Sequence, residues 1–260
     1  MYNFSKQKAM LDATLLLLKE NNLSDVSTLG GGTALASYYW NHRYSTDIDI
    51  FIYDTVDKKH LLKESNWSDN TKDAMESIGY TGNFRNHPIY SEIFINEDCK
   101  IQFFDVIKKS KVPYQKVSLW GHELLIDTVE EIIAKKIYYR ADKGNSRDLF
   151  DIAIAFHKEP DILTKMNLKK EKIVSLFETV SNISVNQELK DLYLEEIRQM
   201  NPNKEYEFLA KTAIPYLYNL LENICAAHDM AHELSREDFI EIESYVFENI
   251  KIQFTVVSNS

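Results

Sequence analysis

The segment Leu29–Tyr53, LGGGTALASYYWNHRYSTDIDIFIY, puts three consecutive glycines at the end of a short β-branched run. A helix-forming stretch follows, and then Asp47 and Asp49 open an alternation of acid with Ile and Phe. Side chains two apart on a strand share a face, with Cα atoms roughly 6.5–7 Å apart. Two carboxylates held that way repel each other unless a cation lies between them. The glycines let backbone amides approach a ligand closely, and a helix opening behind them adds free amides and a positive dipole end. Bare amides beside a divalent cation suit a nucleoside triphosphate. A glycine-rich turn alone is commonly steric, and a lone Asp-x-Asp is commonly a solvated strand edge. Their joint occurrence carries the reading.

The rest of the chain bounds the setting. At 260 residues, 44% hydrophobic and 27% charged, it has the make-up of a globular protein with ample core. The longest purely aliphatic run, Leu15–Leu18, is far short of the roughly 20 apolar residues that span a bilayer. Cys99 and Cys225 match no zinc or redox spacing, so a reducing, cytoplasmic location without membrane contact is expected. The net charge of −10 argues against general charge-driven binding to nucleic acid. Beyond His157, 18 acidic residues face 11 basic ones. Basic residues gather instead at Lys108, Lys109, Lys111 and Lys116, and from Lys135 to Arg147. A polyanion would therefore meet the N-terminal half, unless these clusters are only solvated surface.

Periodicity predicts an amphipathic helix over residues 6–21, a strand at Val26–Leu29 and a helix capped by Thr33. A strand is expected at Asp47–Tyr53, a loosened helix over 58–78, and a hairpin of Tyr90–Ile95 with Lys100–Ile107. Thr128 and Glu131 have the spacing of a capping box for a helix to about Ala141, and Ser146 is expected to cap the next, to about Phe156. From about Asp161 to Ile250 the chain is rich in leucine and glutamate and has no glycine, a helical-bundle composition. The tail IKIQFTVVSNS reads as an edge strand or a frayed end. The fold class expected is α/β (α+β): a mixed sheet flanked by helices over residues 1–157, followed by a helical domain over 158–260.

Asp105 lies in IQFFDVI, an otherwise apolar strand where an unpaired ionised carboxylate would be costly. A neighbouring strand is expected to bring it beside Asp47 and Asp49 as a third metal ligand and the candidate general base. Its alternative is a strand-end carboxylate capping a loop. Three carboxylates suit Mg²⁺, which prefers oxygen ligands and keeps some waters. Arg43 is read as a phosphate ligand or a partner of Asp49, and His42 as orienting the loop. Tyr38, Tyr39 and Trp40 are read as core packing rather than base-stacking surface.

GGGTALASYYWNHRYSTDIDIF resembles the signature of the AbiEii/AbiGii nucleotidyltransferase family, a branch of the DNA polymerase β-like superfamily. EEIIAKKIYYRADKGNSRDLFDIA resembles the same family's helix–turn–helix block. The resemblance implies a nucleotidyltransferase-type sheet in which Gly31, Gly32 and Thr33 hold phosphates and Ser45 reaches them. It implies that Asp47 and Asp49 bind metal, with Asp105 as the third acid. Lys136 and Arg140, four apart on one helical face, would neutralise the triphosphate; Lys135 is the competing alignment. Arg147, Asp148 and Asp151 open the next helix. Asp148 is read as functional, whereas Asp151 divides between an active-site role and an ion-pair lattice.

The activity implied is Mg²⁺-dependent transfer of a nucleotide from a nucleoside triphosphate to an acceptor hydroxyl. The family's toxins suggest the tRNA 3′ end as acceptor and a cognate antitoxin as partner. One alternative acceptor is a small molecule of the aminoglycoside kind, whose positive charge the acidic chain would favour, or a protein side chain. Another is a catalytically silent nucleotide-binding module.

Overall fold

A computed structural model describes residues 2–53 and 62–230. Part of the helix expected over 58–78 lies outside those residues, as do the expected helical stretch past Met230 and the tail strand. The described residues form two units. The first comprises the described residues up to 108 together with 112–128; the second comprises 109–111 and 129–230.

The first unit is built on a seven-stranded mixed sheet ordered β3-β4-β5-β2-β1-β7-β6. Its strands are β1 (Ser27–Gly30), β2 (Ile48–Ile52), β3 (Phe84–Asn86), β4 (Tyr90–Asn96), β5 (Cys99–Asp105), β6 (Tyr114–Leu119) and β7 (His122–Asp127). β1 is antiparallel to β2 and parallel to β7, and β2 is parallel to β5. Alternation in β2 buries Ile48, Ile50 and Ile52 and leaves Asp49 and Phe51 half-buried on the other face. Helix α1 (Ser5–Glu20) buries Met10, Leu11, Leu17 and Leu18. Burying each such side chain is worth roughly 1.5–3 kcal/mol. Helix α3 (Asp69–Ser77) opens where the Ser68 side chain accepts the Thr71 N–H.

Helix α2 (Gly31–Ala34) starts directly at the bend and continues as a π-helical turn, Leu35–Trp40. It ends at Asn41, whose left-handed φ of 50° Asn tolerates better than most residues. Thr33 therefore lies inside the helix rather than capping it, because the bend turns helical three residues earlier than expected.

The second unit contains α4 (Val129–Arg140), α5 (Ser146–Lys158), α6 (Lys170–Val185), α7 (Gln187–Met200) and α8 (Glu207–Met230). Asn145, not Ser146, caps α5, accepting the Arg147 and Asp148 N–H groups at 3.0 and 3.3 Å. Asn serves well there, and the turn before it uses Gly144 at φ +62°. The expected boundary at 157/158 does not coincide with the division near 128/129. α5 buries ten of its 13 residues and groups with the later helices rather than with the sheet.

Candidate active site

Two features stitch the glycine bend to the acidic strand. Gly31 has φ +63°, and a Cβ there would lie 1.9 Å from Asp49 Oδ2. The Asp49 carboxylate thus fills the space that any other residue at 31 would need. At Gly32 a Cβ would fall 2.5 Å from Arg43 Nη2 and 3.1 Å from Ser45 Oγ. Glycine is required here by the close approach of the Asp49, Arg43 and Ser45 side chains.

The buried Thr33 hydroxyl donates to the Asp47 carbonyl, and its oxygen is within hydrogen-bond distance of the Ser45 hydroxyl at 2.9 Å. Being fully enclosed, it holds the 45–47 loop instead of touching a ligand. Arg43 is buried against Gly32 and donates to the Tyr44 carbonyl at 3.2 Å. Asp47 Oδ1 accepts the Lys100 N–H at 3.2 Å, which anchors it to β5. Asp49 lies on the face of β2 opposite Ile48, Ile50 and Ile52, whereas Asp47 lies in the loop immediately before the strand.

Asp105 does not join them. The parallel register pairs Asp49 with Gln102 and Ile52 with Asp105. Asp105 therefore belongs to the face of Ile101 and Phe103, opposite to Asp49, and about 10 Å further along the strands. The third-ligand and general-base roles expected of it do not fit this geometry. Among the described residues no cluster of three or more His, Cys, Asp or Glu has the arrangement of a metal site.

What the register does gather beside Asp49 is a polar row. Gly30, Asp49, Gln102, Glu92 and Arg85 stand opposite one another on successive strands. Buried Glu92 accepts from Gln102 at 3.3 Å, pairs with Lys100 at 3.7 Å and meets His87 at 3.2 Å.

The row extends the other way to Asp127, which the sequence reading missed. Leu29 is in register with Ile126, so Asp127 stands beside Gly30. A recoverable signal was present in YQKVSLWGHELLID. Val117, Leu119, Leu124 and Ile126 alternate around a Trp120–Gly121 turn with φ of +54° and +95°, the chemistry of a tight hairpin. The aromatic stripe also divides in use. Tyr38 is exposed, Tyr39 donates to the Asp127 carbonyl at 2.8 Å, and the Trp40 ring lies 5.3 Å from His42.

The second unit holds a different acidic group. Lys136 Nζ bonds Asp148 Oδ1 and lies 3.1 Å from Asp151 Oδ2, with Arg140 3.5 Å from Asp148 Oδ2. Lys136, Asp148 and Asp151 are all buried. Burial, with Asp151 adding to it, pushes the Tyr193 phenol above its usual range. Lys135 turns elsewhere, pairing at 3.5 Å with buried Glu131, which also accepts the Lys109 N–H and the Ser110 hydroxyl. Of the two alignments, Lys136 is the one that meets the Arg-Asp block. Arg147 is exposed.

Residues 15–217 match the family described as nucleotidyl transferase AbiEii toxin, type IV toxin–antitoxin system. The chain belongs to the AbiEii family. The match spans both the glycine–diacid segment and the Lys-Arg-Asp block, so the protein is a nucleotidyltransferase of a toxin family, with a nucleoside triphosphate substrate and an antitoxin partner implied. No curated protein is significantly similar in sequence. Similar solved structures include JHP933 from Helicobacter pylori, 16% identical, covering 86% of this chain and 98% of that one at a TM-score of 0.44. A second H. pylori structure, described as a candidate nucleotidyltransferase, is also 16% identical, covering 82% and 96% at 0.44. Among the described residues no helix is long and apolar enough to cross a membrane.

Proposed function

We propose that this AbiEii protein moves a nucleoside monophosphate from a triphosphate to the 3′ hydroxyl of an RNA, with tRNA as the acceptor, in the cytoplasm. The observation that carries the reading is the Asp49 carboxylate seated directly on Gly31. It sets an acid and the bare amides of the bend within one small region of a rigid sheet.

Asp47 and Asp49 fit Mg²⁺ by the chemistry of their donors: two half-buried carboxylates at the start of β2. Two protein carboxylates leave coordination positions for substrate oxygens and water, as Mg²⁺ sites commonly do. Bound there, the ion would neutralise phosphate charge. The bend at Gly31 and Gly32 cradles the phosphates, while Arg43 and Ser45, packed against Gly32, meet them from the loop. The acceptor oxygen bonds the α-phosphorus, the bond to pyrophosphate breaks, and the hydroxyl proton leaves to solvent. Positioning and charge stabilisation supply most of the rate in such a transfer. Lys136, Asp148 and Asp151 serve as an ion-pair lattice fixing α4 against α5.

The test is incubation of the protein with each α-labelled triphosphate, Mg²⁺, and total RNA and protein. Label in tRNA is the expected result. Label in protein or in a small cationic acceptor would replace the RNA assignment, and triphosphate binding without transfer would leave only a binding module.

A further inference from the structure

Asp127 is fully buried, yet it ends a strand beside the catalytic bend. Its Oδ1 accepts the Thr28 hydroxyl at 2.6 Å and the Tyr53 hydroxyl at 3.1 Å. Its backbone carbonyl accepts the Tyr39 hydroxyl at 2.8 Å. Thr28 lies two residues before Gly30, Tyr53 lies just past β2, and Tyr39 lies at the far end of the helix that opens at Gly31. One residue thus ties the chain entering the bend, the helix leaving it, and the strand bearing the diacid. Its other oxygen faces the bend itself: a Cβ on Gly30 would lie 2.6 Å from Asp127 Oδ2 and 2.5 Å from Phe51 Cε2. The absent side chain at Gly30 is what lets the carboxylate reach the backbone.

We infer that Asp127 is a positioning residue for the triphosphate, its carboxylate holding the Gly30–Gly32 bend in its phosphate-binding shape through Thr28 and Tyr53. With no exposed surface it does not touch the ligand, so it acts through the backbone. Asp49 and Asp127 flank Gly30 from the two neighbouring strands, one toward ligand and one toward scaffold. This inference rests on the nucleotidyl-transfer reading above.

Inorganic triphosphate with Mg²⁺ is the probe, because it reports the phosphate cradle without any base preference. Asp127→Ala is expected to weaken its binding about 10-fold or more, the scale of supporting-shell losses at charged sites. Asp127→Asn, which keeps an acceptor oxygen for both hydroxyls, is expected to stay within about 3-fold of wild type. Thr28→Val and Tyr53→Phe fall between. Leu124→Ala, on the opposite face of β7, lowers the melting temperature without changing affinity, which separates positioning from general loss of stability. If Asp127→Ala does not fold, the Thr28→Val/Tyr53→Phe double variant carries the same 10-fold expectation. Wild-type binding with an unchanged Asp127→Ala, or equal losses in Leu124→Ala, would overturn the role of Asp127 alone. Wild-type protein that does not bind inorganic triphosphate would overturn the underlying reading as well.

Discussion

Asp47 and Asp49 in the first unit and Asp148 and Asp151 in the second are chemically the same pairs, set two and three residues apart. Their surroundings differ. The first pair is half-buried, one member anchored by a backbone N–H and the other pressed on a bare glycine. The second pair is buried around one ammonium, with Arg140 at its edge. A carboxylate whose charge is already matched inside the fold has little left to offer an incoming cation. Asp49, half-buried against the glycine bend, instead sits beside bare backbone near the start of β2. On the proposed function, placement more than residue type separates a catalytic pair from an architectural one.

The largest expected effect breaks this contrast on activity. Asp49→Ala should lower transfer about 10³-fold, equivalent to roughly 4 kcal/mol of transition-state stabilisation, while the melting temperature changes little. Lys136→Ala should do the reverse, leaving two buried carboxylates without their shared cation and costing about 3–5 kcal/mol in chemical unfolding. If Lys136→Ala keeps wild-type stability and loses only transfer, the lattice role is wrong and the active-site role implied by resemblance is right.

Gly31→Ala comes next. It forces a Cβ onto the Asp49 carboxylate in a left-handed conformation, so transfer should fall about 10²-fold through misplacement. Unfolding measurements should show a loss of roughly 1–2 kcal/mol. The smallest effect belongs to Asp105→Asn: on the far face from Asp49, it should change initial transfer rates less than about 3-fold.

The reason Asp105 misled is instructive. The glycine bend and Asp-x-Asp are close in sequence, so their meeting is a matter of local strand and helix geometry. The helix over Ser5–Glu20 and the β4–β5 hairpin were readable for the same reason. The face presented by Asp105 depends on the register between β2 and β5, strands joined by some fifty residues of chain. A slip of one residue there exchanges the two faces, and no local pattern in IQFFDVI reveals which face wins. Asp127 was hidden likewise: its meaning arises only when parallel pairing with β1 sets it beside Gly30. Lys135 and Lys136 differ by about 100° around a helix, and only the packing of α5 chose between them.

On the proposed function a divalent ion and a triphosphate meet at Asp47 and Asp49. Mn²⁺ in place of Mg²⁺ makes this visible by electron paramagnetic resonance. Triphosphate-dependent Mn²⁺ binding is expected in wild-type protein and in Asp105→Asn, with loss of that binding in Asp47→Asn. Mn²⁺ binding that survives Asp47→Asn, or that disappears in Asp105→Asn, would contradict it.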